Sequence, residues 1–89
     1  MPNASAAAAA DPDVAARLQA FGHRLRELRT TAGRTQTSLA AEAGIDRSFY
    51  ANVEAGKNNI SLEKVFSLAD ALQVDVGELF RGLSTRTGP

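Results

Sequence analysis

Apolar residues recur at steps of four and three through the first third of the chain: Val14, Leu18, Phe21, Leu25, Leu28 and Ala32. That spacing puts one apolar stripe on an amphipathic helix. Asp11 and Pro12 supply an N-cap and a first helical residue, and Gly33 a stop. Gly22 lies inside the stripe, where glycine weakens a helix by about 1 kcal/mol relative to Ala. A bend or a division into two segments is therefore expected there. The steps mimic heptads over too short a length for a coiled coil, so core packing is the expected use.

Two shorter helical patterns follow, and they meet at a glycine. Thr35 suits an N-cap. From Gln36 the apolar face holds Leu39, Ala40 and Ala43 and ends at Gly44, which suits a left-handed residue that a Cβ would disfavour. After Ile45, Asp46 can cap a second helix carrying Tyr50 and Val53 inward. Helices joined so tightly cross steeply and need a small residue at the contact, which Ala40 supplies. Residues 35–54 thus spell a helix-turn-helix. In such a unit the second helix enters a DNA major groove. Its outward residues here are Arg47, Ser48, Phe49, Ala51 and Asn52. Arg matches the two acceptors of a guanine edge, Asn an adenine edge, and Ser either. Spacing alone leaves open a plain helical hairpin with a solvated face.

Beyond Glu54 the segment Ala55-Gly56-Lys57-Asn58-Asn59 is polar and turn-rich. Ser61 then caps a fourth pattern with Leu62, Val65, Phe66, Ala69 and Leu72 inward. A fifth begins at Asp75 with Val76, Leu79 and Phe80. Leu68 falls off the inward stripe, and with Val76, Phe80 and Leu83 is expected to form an exposed apolar patch, the usual mark of an interface. The chain reads as an all-α domain over 11–83, between an Ala-rich tail at 1–10, expected to be disordered, and a polar tail at 84–89.

Composition narrows the chemistry. Eighty-nine residues make one domain; at this size only about 60% of the unfolded surface is buried, so self-association would help. Cysteine is absent, which removes disulfides and thiolate metal sites. His23 is the one histidine and has no carboxylate cluster beside it; a partly exposed helical position is expected, with no metal and no cofactor. No apolar run reaches the ~20 residues of a membrane span. The first residues lack a secretory signal, and the expected location is the cytoplasm. Phosphate-binding glycine loops, thiol nucleophiles and carboxylate pairs with a positioned histidine are all missing, so no enzyme is expected. Net charge is zero, yet Arg17, Arg24, Arg26, Arg29 and Arg34 face only Glu27 within residues 17–34. This is either a basic binding face or a solvated one. Several acids (Asp11, Asp13, Asp46, Glu63, Asp75) stand at expected helix starts, where they favour the helix dipole.

The string Thr35-Gln36…Leu39-Ala40…Ala43-Gly44-Ile45, then Val53-Glu54-Ala55-Gly56-Lys57, Ile60-Ser61-Leu62, Ala69-Asp70-Ala71-Leu72 and Glu78-Leu79-Phe80 resembles the lambda-repressor-like (Cro-repressor-like) helix-turn-helix family. The likeness spans about residues 21–80 and is strongest to small stand-alone regulators, including restriction–modification controller proteins. Arg34 and Tyr50 depart from it, standing where the family usually has apolar and Ile or Val residues.

The resemblance implies a compact five-helix DNA-binding domain, active as a homodimer on double-stranded DNA. It implies a partly buried Arg29–Glu54 ion pair tying the first helix to the recognition helix. It places the 55–59 loop along the DNA backbone, making Lys57 and Asn58 phosphate contacts and Asn59 a weaker one. Gln36, aided by free N–H groups at its helix start, would also hold phosphate, with Thr37 and Arg34. Arg47, Ser48 and Asn52 would read bases, and Phe49 or Ala51 would touch a thymine methyl. Two recognition helices about 34 Å apart would match a palindromic operator. RNA polymerase or a cognate partner protein is a further possible partner. The competing reading is an antitoxin or interaction module that covers a partner with the same fold. A nucleoid-type architectural binder is disfavoured by zero net charge.

Overall fold

Short polar side chains start four of the helices by closing their first turns. Asp11 accepts from the Asp13 N–H at 2.9 Å, Thr35 from Ser38 at 3.0 Å, Asp46 from Phe49 at 3.0 Å and Ser61 from Lys64 at 3.2 Å. Each satisfies a backbone donor that has no partner within its helix. The resulting elements are α1 (Pro12–Thr31), α2 (Gln36–Ala43), α3 (Arg47–Glu54), α4 (Leu62–Leu72) and α5 (Val76–Leu79). Asp75 precedes α5 without a side-chain cap bond. This computed structural model describes residues 11–83; the tails expected at 1–10 and 84–89 lie outside the described residues.

The turn between α2 and α3 forms as its glycine dictates. Gly44 is left-handed at φ 70°; its N–H donates to the Ala41 carbonyl at 3.2 Å, and that of Ile45 to Ala40 at 2.8 Å. This doubly bonded ending terminates α2 and turns the chain at once. Ala40, almost fully buried, lies in the core with Ile45, Tyr50 and Val53.

Helix α1 does not bend at Gly22. It runs unbroken over 20 residues, and Gly22 is where α3 comes closest. A Cβ on Gly22 would lie 2.4 Å from the Glu54 carbonyl oxygen and 2.5 Å from that of Val53. The glycine is needed for backbone approach, not for flexibility.

The core takes Phe21 and Leu25 from α1, Leu39 and Ala40 from α2, Tyr50 and Val53 from α3, Leu79 from α5, and four residues of α4. Those four are Val65, Leu68, Ala69 and Leu72, which corrects the expected phase of α4. Leu68 is fully buried, whereas Leu62 is 64% and Phe66 52% exposed. The apolar arc of α4 is wider than the surface the core offers it. Helices α2 and α5 pack against α4, and Leu62 and Phe66 are left facing out. Leu83 is also partly buried against the core. Of the expected patch, only Val76 and Phe80 are exposed.

Gly22→Ala should destabilise the fold despite a better helix former. Overpacking of this kind typically costs ~1–3 kcal/mol, and backbone carbonyls cannot rotate away as a side chain can. The helix-propensity gain of about 1 kcal/mol is smaller. A thermal melt should show a lower Tm, and an unchanged or higher Tm would rule out the close crossing.

Candidate nucleic-acid interface

One carboxylate organises the polar interior. The side chain of Glu54, at the end of α3, is 4% exposed. Its Oε2 accepts from Arg29 Nε at 2.6 Å and its Oε1 from Arg29 Nη2 at 3.1 Å. Tyr50 donates its hydroxyl to Oε2, and Gln36 Nε2 donates to Oε1 at 2.9 Å. The third Arg29 nitrogen, Nη1, donates to the Arg34 carbonyl at 2.9 Å. Burial opposes the Glu54 charge, but the bonds from Arg29, Tyr50 and Gln36, with the attraction of Arg29, outweigh it and hold its carboxyl below the usual range. The hydrogen bond to Glu54 chiefly raises Arg29, against burial. Burial, then the bond to Glu54, pushes the Tyr50 hydroxyl up, so it stays protonated as a donor. Tyr50 replaces the family's usual aliphatic residue and puts its polar tip where a partner waits.

Three of the five arginines between positions 17 and 34 are drawn into the scaffold, while Arg26 stays exposed. Arg24 bonds Glu27 and Glu78 at 3.1 Å each and the Glu78 carbonyl at 2.8 Å, tying α1 to α5. Arg34, expected to hold phosphate, is committed internally. It reaches Glu42 at 3.1 Å, Ser38 Oγ at 3.1 Å and the Ala71 carbonyl at 3.3 Å, joining the α1–α2 connection to α4. Arg29 is committed to Glu54 in the same way. Arg34 is therefore a scaffold residue, and its family-atypical charge serves an interhelical network.

The exposed face of the helix-turn-helix has a different composition. Ser48 and Asn52 are exposed on α3, and Lys57 is exposed in the following loop; Asn58 is half-buried there and Asn59 exposed. Arg47 is exposed, with Nε donating to Thr37 Oγ1 at 3.0 Å, and its Nη groups make no hydrogen bond among the described residues. Phe49, expected to touch a base methyl, is instead half-buried against the core, with Lys64 Nζ 4.6 Å from its ring centre. Ala51 is half-buried too. At the start of α2, the Thr35 hydroxyl satisfies Ser38 and the Thr35 carbonyl accepts from Leu39. The first N–H groups of α2, at Gln36 and Thr37, have no acceptor within the helix. At α3 the Asp46 carboxylate occupies the corresponding end. Glu54 turns inward, and the outward side chains of α3 include no acid.

A steep two-helix unit on a buried ion pair, with one helix presenting Arg, Ser and Asn, defines a helix-turn-helix domain. The helix-turn-helix family pattern matches residues 25–79, and the chain belongs to that lambda-repressor-like family of transcriptional regulators. It is 36% identical over 61 residues to the control protein C.MunI of Mycoplasma sp, covering 67% of this chain and 82% of that one. With the control protein C.BamHI of Bacillus amyloliquefaciens it shares 30% over 60 residues, covering 66% and 74%. The crystal structure of the restriction-modification controller protein C.AhdI from Aeromonas hydrophila superposes with a TM-score of 0.72 at 49% identity, over 73% of this chain and 98% of that one. Among the described residues, no helix is long and apolar enough to cross a membrane.

Three features of this face escaped sequence reasoning. The Arg47–Thr37 bond and the Lys64–Phe49 contact join residues on different helices, with no local signal. The Gln36–Glu54 bond had a partial signal, since both positions belong to the family string.

Glu54→Gln should destabilise the fold by ~3–5 kcal/mol at neutral pH, because Arg29 is left buried without its counter-charge. The pH dependence follows from the lowered carboxyl. Between the folded and unfolded values the unfolded chain binds more protons, so stability rises with pH there. The advantage of the native Glu is full above the unfolded value of about 4.3 and is lost as pH falls through the lower folded value. Urea melts across this range should show the gap between native chain and variant closing on acidification. A pH-independent gap would remove the ion pair as its cause.

Proposed function

We propose that this protein is a sequence-specific transcriptional regulator that binds a palindromic operator as a homodimer, with α3 in the major groove. The observation that carries this reading is the division of labour among its cations. Arg24, Arg29 and Arg34 are tied into the scaffold, while Arg47 and Lys57 stay outward on the helix-turn-helix face. Arg47, Ser48 and Asn52 read base edges. The Gln36 and Thr37 N–H groups, the Thr37 hydroxyl, Lys57 and Asn58 hold phosphates and set register without carrying sequence information. Gln36 contributes mainly through its backbone, because its side chain already serves Glu54.

The dimer surface is the outward apolar set Leu62, Phe66, Val76 and Phe80. A domain this small gains from covering such groups. The named relatives are control proteins, which favours this reading over an interaction module.

Selection from a randomised duplex pool at two salt concentrations tests the proposal. Recovery of an inverted repeat with half-sites one turn apart is the expected result, and failure of a folded protein to enrich any sequence would refute it. Arg47→Ala should relax preference at one base pair per half-site by ~1–3 kcal/mol. Lys57→Ala should instead weaken all duplexes alike and lower the salt slope by about 1. Phe66→Glu should leave the helix content intact and shift sedimentation from dimer to monomer; a variant that stays dimeric would exclude Phe66 from the interface.

A further inference from the structure

The geometry points to Thr37 as a positioning residue that presets how Arg47 reads its base and couples that reading to a phosphate contact. The inference rests on the operator-binding reading and deepens it. Arg47 opens α3 and Thr37 lies in the first turn of α2, ten residues earlier in sequence. Both side chains are exposed, and across the turn Arg47 Nε donates to Thr37 Oγ1 at 3.0 Å. Among the described residues this is the one hydrogen bond that the Arg47 side chain makes. The nearest acid in sequence, Asp46, is occupied with the N–H of Phe49 and forms no ion pair with Arg47.

Two consequences follow from donor and acceptor counts. A guanidinium has five N–H donors in a rigid fork. With the Nε–H committed to Thr37, the two Nη groups remain, and they project together at the tip. A guanine presents two neighbouring major-groove acceptors, N7 and O6. Arg47 therefore approaches end-on through its Nη pair, and the side-on approach through Nε is closed to it. Tethering also removes much of the freedom that a long exposed arginine would lose on binding.

The second consequence concerns Thr37 itself. A hydroxyl has one donor and two acceptor lone pairs. Accepting from Arg47 leaves its proton free, at the start of α2, where the first N–H groups have no partner within the helix. Donation of that proton to a phosphate oxygen makes the hydroxyl a better acceptor for Nε, because chained hydrogen bonds polarise one another. Phosphate, Thr37, Arg47 and guanine then form one chain, and backbone register is felt in base discrimination. A phosphate contact by itself would strengthen all sequences equally.

The test uses the full chain and the duplex recovered by selection, beside the same duplex with the Arg47-dependent guanine replaced. Arg47→Ala first identifies that base pair as the one whose preference it abolishes. The native protein should prefer the guanine duplex by roughly 5–150-fold, the range of one bidentate contact. Thr37→Val keeps the shape and deletes the hydroxyl; it should cut that ratio at least about threefold, beyond any uniform loss of affinity. Thr37→Ser, which restores the hydroxyl, should return the ratio to the native value. In an Arg47→Ala background, Thr37→Val should weaken both duplexes by the same factor. Thermal melts of each variant establish that the fold is retained. If Thr37→Val weakens both duplexes equally in the native background, Thr37 is a phosphate contact only and the coupling is overturned, with operator binding intact. If the native protein itself selects no duplex, the operator reading fails and the coupling falls with it.

Discussion

Glu54 is the point on which this small fold turns. Its carboxylate, almost wholly removed from water, gathers donors from three helices: Arg29 of α1, Gln36 of α2 and Tyr50 of α3. An unpaired charge at this depth would cost several kcal/mol, so the three helices must arrive together or the site cannot form. The same end of α3 is where α1 presses closest, through Gly22. Ion pair and glycine contact are neighbours, and together they set the orientation of the helix that faces outward.

That arrangement explains how a chain of zero net charge offers a nucleic-acid face. Most arginines of the first third act as interhelical braces, each drawing a glutamate with it: Arg24 with Glu27 and Glu78, Arg29 with Glu54, Arg34 with Glu42. What remains on the helix-turn-helix surface is sparse, chiefly Arg47 and Lys57 with short polar side chains between them. A sparse face gives weak non-specific attraction, and affinity must come from contacts that fit. Arg47 on that face is tethered to Thr37.

Much of this was legible in the chain. Caps at Asp11, Thr35, Asp46 and Ser61 lie where short polar residues precede apolar periodicity, because capping is a local bond. Gly44 was legible for the same reason, since a left-handed residue is required within one turn. The phase of α4 was not. Its apolar residues fill more than one face, and periodicity cannot say which edge of a broad stripe meets the core. Leu68 and Leu62 exchanged their expected places for that reason. The arginine stretch misled in a related way: counting charges along the sequence cannot show which glutamates, up to 54 residues distant, will fold against them.

The sequence by itself determined the elements, their starts and stops, the turn at Gly44 and the outward identity of Arg47, Ser48 and Asn52. All of these depend on interactions within a few residues or on the period of one helix. Only the tertiary structure decided which cations are free, which face of α4 is wet, why residue 22 is glycine, and that Thr37 holds Arg47. Each of these is a contact between helices remote in sequence, settled by packing geometry that no local pattern encodes.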